Sequence, residues 1–376
     1  MQSPCHERGT SSKLLVGNHL RTSTAQTRRR FCFARGNFRF RIWDGFRSTN
    51  RWRTCSCLNV GYARTVEFCH QFMREIREQE SKWRKRRTLG NYEVHVAWEG
   101  FASIRQISSG EIMHSRTPPM EEARKLYIEQ SNLAERVRLS ASENSRDSTA
   151  LVLWDVGLGA AANAMAAILC YEVEARNGSV RPLRIISFEN DLDSLRLAFR
   201  HSRDFPYLRH SGPTGILKEG FWQSRQHAGL SWLLLPGDFL ETMSTAPAAP
   251  DIIFYDMFST KTSGDQWTLD AFRKLFEVCA GRATELFTYT CSTANRAALF
   301  AAGFYVARGR NAGEKLETTI ALKPAACGAP SSCRHDLLTR DWLKKWNRSR
   351  AKFPEEVPAD QHAAFEQMIR GHAQFR

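Results

Sequence analysis

Hydrophobic and polar positions follow three different patterns along the chain. Residues 1–88 hold no sustained period of 3.6 or 2. From Asn91 a period of two appears: Tyr92-Glu93-Val94-His95-Val96-Ala97-Trp98 alternates, Glu99-Gly100 turns, and Phe101 to Ile107 runs again with β-branched residues. Ser109-Gly110 makes a second turn before Glu111-Ile112-Met113-His114. This pattern predicts a small antiparallel meander. Thr117-Pro118-Pro119 ends it. Pro119 suits a first helical turn, and Glu121 and Glu122 suit the positive end of a helix dipole. Ala123, Leu126, Tyr127, Gln130, Leu133 and Val137 then fall near helical spacing, predicting one helix to about Arg138. Ser140 to Ser148 reads as a polar linker.

The next stretch alternates strand and helix. Ala150–Val156, Leu183–Phe188, Trp232–Leu235, Ile252–Tyr255 and Glu285–Tyr289 are short apolar runs that predict buried strands. Helices are predicted over Ala160–Ala175, Asp191 to about His201, Trp267–Cys279 and Thr293–Ala302, and Phe304–Ala307 and Glu317–Leu322 close the sheet. Alternating elements of this kind call for a mainly parallel sheet with helices on both faces. The fold expected is therefore α/β, a doubly wound Rossmann-like sheet preceded by a small β-meander and a helix. The divisions expected are 1–88, 89–148, 149–323 and a helical tail, 324–376, with Trp342 and Trp346 on one helix face.

Composition changes this picture in one place. The net charge is +15 over 376 residues. Residues 1–90 hold 20 Lys and Arg against 6 Asp and Glu, while residues 91–376 hold 34 against 33. The folded body is near neutral, so overall charge is poor evidence for nucleic-acid binding by it. In the basic segment Arg28, Arg29, Arg30, Arg35, Arg39 and Arg41 alternate with Phe31, Phe33, Phe38 and Phe40. Such a segment can bind single-stranded nucleic acid by charge and stacking. It also reads as a disordered extension, or as a reading frame begun too far upstream with Met73 as the alternative start. No window approaches the ~18 uninterrupted apolar residues of a membrane helix, and no apolar core of a signal peptide is visible. Cys55 and Cys57 are too close for a usual zinc pair, and no metal site is expected. Cys170, Cys279 and Cys291 sit in apolar or helical surroundings and read as reduced core thiols of a cytoplasmic protein.

Four acids mark the chemistry. The first strand ends in Asp155-Val156-Gly157-Leu158-Gly159, and a helix follows at once; glycines here let backbone approach a ligand at a helix N-terminus. Glu189 follows the second strand, where Rossmann-like folds hold ribose hydroxyls with an acid. Asp238, in Pro236-Gly237-Asp238, follows the third strand and suits an adenine amino group, and Asp256 ends the fourth. Each acid alone reads as a cap or a solvated group. Four at the C-terminal ends of successive strands point to a ligand, because an open α/β sheet binds ligands at that edge.

These residues and their neighbours resemble a known family. GEIMHSRTPPMEEARKLYIEQSNLAER (Gly110–Arg136), DVGLG (Asp155–Gly159), ISFEN (Ile186–Asn190), PGDFLE (Pro236–Glu241), DIIFYDMFSTKTSGDQWT (Asp251–Thr268) and FTYTCSTANRAALFAAGFYVARG (Phe287–Gly309) are similar to the methyltransferase proteins related to the N-terminal half of MnmC. MnmC is the bifunctional tRNA 5-methylaminomethyl-2-thiouridine biosynthesis protein, and the resemblance spans residues 91–376. It implies an S-adenosylmethionine-dependent N-methyltransferase with tRNA as substrate, acting on the 5-aminomethyl group of the wobble uridine. Carried over by position, Asp155, Gly157, Gly159 and Glu189 would hold the methionine and ribose parts of the cofactor, and Asp238 would meet adenine. Asp256 would sit beside the acceptor amine as proton acceptor, with His114 as the other candidate base. Glu111, Met113 and Phe258 would border the pocket. The family often has G-T-G after its first glycine and D-G-F-x-P at the acceptor site. Here the segments read Gly157-Leu158-Gly159-Ala160 and Asp256-Met257-Phe258-Ser259-Thr260, which leaves a small-molecule or protein amine as the alternative acceptor. No flavin-binding sequence follows residue 323, so the oxidase activity of the bifunctional proteins, acting on CH-NH donors, is expected to be absent.

Overall fold

The computed structural model describes residues 38–43, 52–57, 87–138, 149–279, 281–310, 317–328 and 330–376. The chain divides into two compact units, Met1–Ser81 and Lys82–Arg376. In the first, strands β1 (Phe38–Trp43) and β2 (Trp52–Cys57) pair antiparallel, with Phe40 opposite Cys55. The expectation of an extension without regular structure is corrected over these two strands. Met73 and the remainder of that expectation lie outside the described residues.

The second unit opens with β3 (Thr88–Leu89), β4 (Tyr92–Val96) and β5 (Ala102–Gln106), an antiparallel meander in which Val94 faces Ile104. Its third strand is β3, ahead of the expected pair. Glu111–His114 is no strand. Only Ile112 bridges back to Arg105, and the His114 amide donates to the Ser103 side chain instead of a ladder carbonyl. The segment thus peels away from the meander.

The expected single helix over Pro119–Arg138 is also corrected. Pro119–Ala123 is α-helical, Arg124–Ile128 is a π-helical turn, and Leu133–Val137 is a separate short helix beyond Asn132, which lies at φ 52°. The cause is side-chain competition for backbone carbonyls: Gln130 Nε2 donates to the Leu126 carbonyl at 3.0 Å and Ser131 Oγ to that of Tyr127 at 2.6 Å. Asn tolerates the left-handed backbone that results.

Nine strands form the main sheet: β6 (Leu151–Val156), β7 (Leu183–Glu189), β8 (Phe221–Gln223), β9 (Leu230–Pro236), β10 (Ile252–Tyr255), β11 (Glu285–Thr288), β12 (Tyr305–Gly309), β13 (Thr318–Leu322) and β14 (Asp336–Leu337). Their order is β14-β12-β13-β11-β10-β6-β7-β9-β8. The five central strands are parallel, while β13 runs antiparallel between β11 and β12. Chain order reverses at β6, whose neighbours are β7 and β10, so a crevice opens at its C-terminal end.

Both faces of the sheet are buried, as a doubly wound fold requires. On β6 the alternation is direct: Leu151 and Leu153 enter one core, with helix Ala162–Asn177 and the meander residues Tyr92 and Ile104. Val152, Trp154 and Val156 enter the other, with helices Leu269–Val278 and Thr293–Ala301. The C-terminal segment belongs to this second core. Trp342 and Trp346 are buried and stacked at 6.1 Å, and Gln374 bonds both the amide and the carbonyl of Val306. Helix Ser211–Glu219 and the edge strand β8 were not anticipated. Among the cysteines, Cys279 is buried and Cys170 half-buried, but Cys291 is exposed, which corrects its reading as a core thiol. Cys327 and Cys333 form a disulfide. No helix among the described residues is long and apolar enough to cross a membrane.

Candidate active site

The crevice at the end of β6 widens into a cavity of about 810 Å³. Its floor is the turn after β6. Gly157 and Gly159 take φ values of 87° and 52°, the left-handed region where a side chain is strained. A Cβ on Gly157 would come within 2.7 Å of the Asp256 carbonyl oxygen, and one on Gly159 within 3.2 Å of Met113 Sδ. The helix begins at Ala162, because Ala161 is also left-handed at φ 62°.

Glu189, the last residue of β7, faces this turn. Its Oε2 accepts from the Gly159 amide at 2.9 Å and its Oε1 from the Asp191 amide at 3.0 Å. Burial pushes its pKa up, against the pull of those amides. Tyr92 of the meander closes the same side, and burial, reinforced by Glu189 and Asp191, raises its hydroxyl to about 12. Beyond β9, Gly237 at φ 125° turns the chain into Asp238. Asp238 Oδ1 caps the short helix Phe239–Thr242 through the Leu240 amide, and its Oδ2 accepts from Gln266 Nε2.

The other half of the cavity is built from side chains that are distant in sequence. Asp256 Oδ2 accepts from Asn163 Nδ2 at 2.8 Å. Burial raises the Asp256 pKa, with nearby His114 opposing. The His114 ring is buried, with Nδ1 2.9 Å from Glu122 Oε2. Glu111 ties the meander's end to the loop after β10: its carboxylate accepts from the Ser259 amide and hydroxyl, each at 2.9 Å, and from Thr262 Oγ1 at 2.7 Å. Phe258 and Tyr289 complete the wall. The Phe258 carbonyl accepts from Trp267 Nε1, and the Tyr289 hydroxyl donates to the Met257 carbonyl.

Nine of the ten residues singled out in the sequence thus line one cavity: Glu111, Met113, His114, Gly157, Gly159, Glu189, Asp238, Asp256 and Phe258. Asp155 does not. It is fully buried beneath the turn with Ser187 Oγ at 2.7 Å on Oδ2, and burial raises its pKa to about 7. Asn163, Glu122, Tyr92 and Tyr289 were missed. Glu122 carried a signal, an acid eight residues beyond His114 at a helix start, but it was legible only as a dipole partner. Among the described residues no group of three or more His, Cys, Asp or Glu is placed to hold a metal ion.

Comparison with known proteins bears on this architecture. Residues 218–324 match a family described as S-adenosyl-L-methionine-dependent methyltransferase. A protein of Pseudomonas fluorescens, named tRNA 5-methylaminomethyl-2-thiouridine biosynthesis bifunctional protein MnmC, is 25% identical over 265 residues, covering 67% of this chain and 38% of that one. The like-named protein of Pseudomonas paraeruginosa is 29% identical over 231 residues, covering 59% and 34%. The chain is thus similar to the MnmC proteins and, over residues 218–324, to a methyltransferase family. It spans little more than a third of the length of these curated relatives. The crystal structure of MNMC2 from Aquifex aeolicus shares the fold at a TM-score of 0.51 and 18% identity, over 82% of this chain and 96% of that one.

The family matched by residues 218–324 is described as S-adenosyl-L-methionine-dependent, and the cavity has features that suit such a cofactor. Two glycines keep the floor clear where any Cβ would fill it, and the Glu189 carboxylate is held by backbone amides at the end of the adjacent strand. A glycine turn with a neighbouring strand-end acid is how such sheets hold a nucleoside.

Proposed function

We propose that this MnmC-like enzyme methylates the 5-aminomethyl group of 2-thiouridine at the tRNA wobble position, giving the 5-methylaminomethyl nucleoside. The observation that carries the reading is that two acids, Asp256 and Glu122, line the same cavity as the glycine turn. Carboxylates on a half-buried wall suit a cationic acceptor, and an alkylamine is an ammonium at neutral pH. The names of the relatives supply the nucleoside.

S-adenosylmethionine, when bound, supplies an electrophilic methyl on a sulfonium. The chain's own residues do the rest. Glu189 holds the ribose hydroxyls with the lone pairs its backbone donors leave free, and Asp238 meets the base edge in the same way. Asp256 holds the acceptor ammonium and takes one proton, freeing the nitrogen lone pair. Burial strengthens its hold on that proton. Met113, Phe258 and Tyr289 keep water from the reacting groups, and alignment supplies much of the acceleration. The near-neutral charge of residues 91–376 favours a second reading, a small-molecule or protein amine. Incubation with labelled cofactor and tRNA bearing 5-aminomethyl-2-thiouridine, followed by nucleoside analysis, separates them. The methylated nucleoside is expected; folded, cofactor-binding protein that yields none would move the acceptor to the second class.

A further inference from the structure

We propose that Glu111 is the positioning residue of the acceptor side: it fixes both the place and the polarity of the loop tip, residues 259–263, and so sets acceptor affinity. This rests on the acceptor being an amine. Gly110, at φ 73°, turns the chain out of the meander just before it. The backbone around Glu111 is then tied back to β5. The Gln106 amide donates to the Glu111 carbonyl at 2.9 Å, and the Met113 amide donates to the Ile104 carbonyl at 3.0 Å. The Glu111 side chain therefore starts from a fixed frame.

The loop it reaches is held unevenly. At its base, Tyr289 donates to the Met257 carbonyl at 3.0 Å and Trp267 Nε1 to the Phe258 carbonyl at 2.7 Å. Beyond Phe258, among the described residues, the side-chain bonds that tie the tip to another element all end on Glu111. The Ser259 amide donates to Oε1 at 2.9 Å, and the Ser259 and Thr262 hydroxyls donate to Oε2 at 2.9 and 2.7 Å. Without them the tip keeps only its own turn, in which the Thr262 and Ser263 amides donate to the Ser259 carbonyl. Ser259, Thr262 and Ser263 line the cavity, and so do residues 110–117. Glu111 thus joins two of its walls.

The polarity follows from donor chemistry. A carboxylate only accepts, so both hydroxyls turn their hydrogens to Glu111 and have lone pairs left to offer the cavity. Lone pairs suit a ligand that donates N–H bonds, as an aminomethyl group does. Asp256 does not depend on this arrangement, because Asn163 holds it separately at 2.8 Å. Loss of Glu111 should therefore weaken the grip on the acceptor and leave the proton acceptor in place.

Two measurements test this on the full chain. Limited trypsin digestion with mass spectrometry reads the tip directly, because Lys261 is exposed and its scissile bond precedes Thr262. Cleavage after Lys261 should be about 10-fold faster in Glu111→Ala than in the wild type; equal rates would overturn the proposal whatever the acceptor proves to be. With the aminomethyl tRNA, Glu111→Ala should raise acceptor KM about 10-fold. Its kcat should stay within about threefold and its cofactor Kd within about twofold. Ser259→Ala with Thr262→Val should raise KM in the same direction, and adding Glu111→Ala to that pair should leave KM within about twofold of Glu111→Ala alone. Additive losses, or a joint fall in kcat, cofactor affinity and Tm, would overturn the proposal. Failure of the wild-type protein to methylate the aminomethyl tRNA would instead count against the acceptor assigned above, with the trypsin rates still deciding whether Glu111 holds the tip.

Discussion

The two halves of the cavity are built by different means. On the nucleoside side the floor is mainly backbone: two left-handed glycines and a carboxylate held by main-chain amides at the ends of adjacent parallel strands. On the acceptor side the parts are side chains brought together over long separations, Asn163 with Asp256 across 93 residues and Glu111 with Ser259 across 148. A backbone cradle asks little of sequence beyond glycine at two positions and one acid. A side-chain wall changes with each substitution. The proposed nucleoside half is therefore the less sensitive to substitution, while the proposed acceptor half would decide what is methylated.

The contrast can be broken most directly at Asp256. Asp256→Asn keeps the shape and the contact with Asn163 but removes the charge proposed to hold an ammonium and accept its proton. Turnover should drop about 10²–10⁴-fold while cofactor affinity, measured by calorimetry, barely moves. A comparable loss of cofactor binding would show that the halves are one unit.

Asp155 lies under the turn and feels the charges of both Asp256 and Glu189. Burial raises its pKa from 3.8 to about 7, so the folded state holds the proton more tightly than the unfolded chain does. The stability this confers is full below pH ~3.8 and is lost as pH rises towards ~7. Asp155→Asn cannot show this loss. Between pH ~5 and ~7.5, urea unfolding should shift in favour of the variant by roughly 2–3 kcal/mol. A constant difference across that range would mean that Asp155 does not titrate there.

The smallest expected effect tests the nucleoside side alone. Glu189→Ala should weaken cofactor binding by about 1–3 kcal/mol, the scale of hydrogen bonds to a charged group. Turnover at saturating cofactor should suffer far less than in Asp256→Asn. Equal losses in both variants would erase the distinction between a holding and a reacting half.

What was legible in the sequence divides along the same line. The parallel strands announced themselves as short apolar runs between glycine turns, and their register at β6, β7 and β10 brings Gly157, Glu189 and Asp256 to one edge. The wall partners were hidden, because nothing local to Asn163 or Glu122 says what lies opposite. Asn163 looked like one more position in an alanine-rich helix. The π-helical turn was hidden too, since Gln130 and Ser131 fit a helical period by spacing but bond backward to carbonyls. Helix Ser211–Glu219 was obscured by Gly212, Pro213 and Gly215, residue types that disfavour a helix. Gly215 is needed all the same, because a Cβ there would meet Trp222 at 2.9 Å.

The bond from Glu111 to Ser259 also has a consequence in time. The roof of the cavity is translated before its floor, and it cannot be latched until the loop after β10 has been made 148 residues later. At about 5–20 residues per second the meander's end waits roughly 7–30 s for its partner. During that interval the Glu111 carboxylate has water in place of the Ser259 and Thr262 donors. A pause in synthesis before Ser259 would hold the nascent chain with Glu111 unlatched.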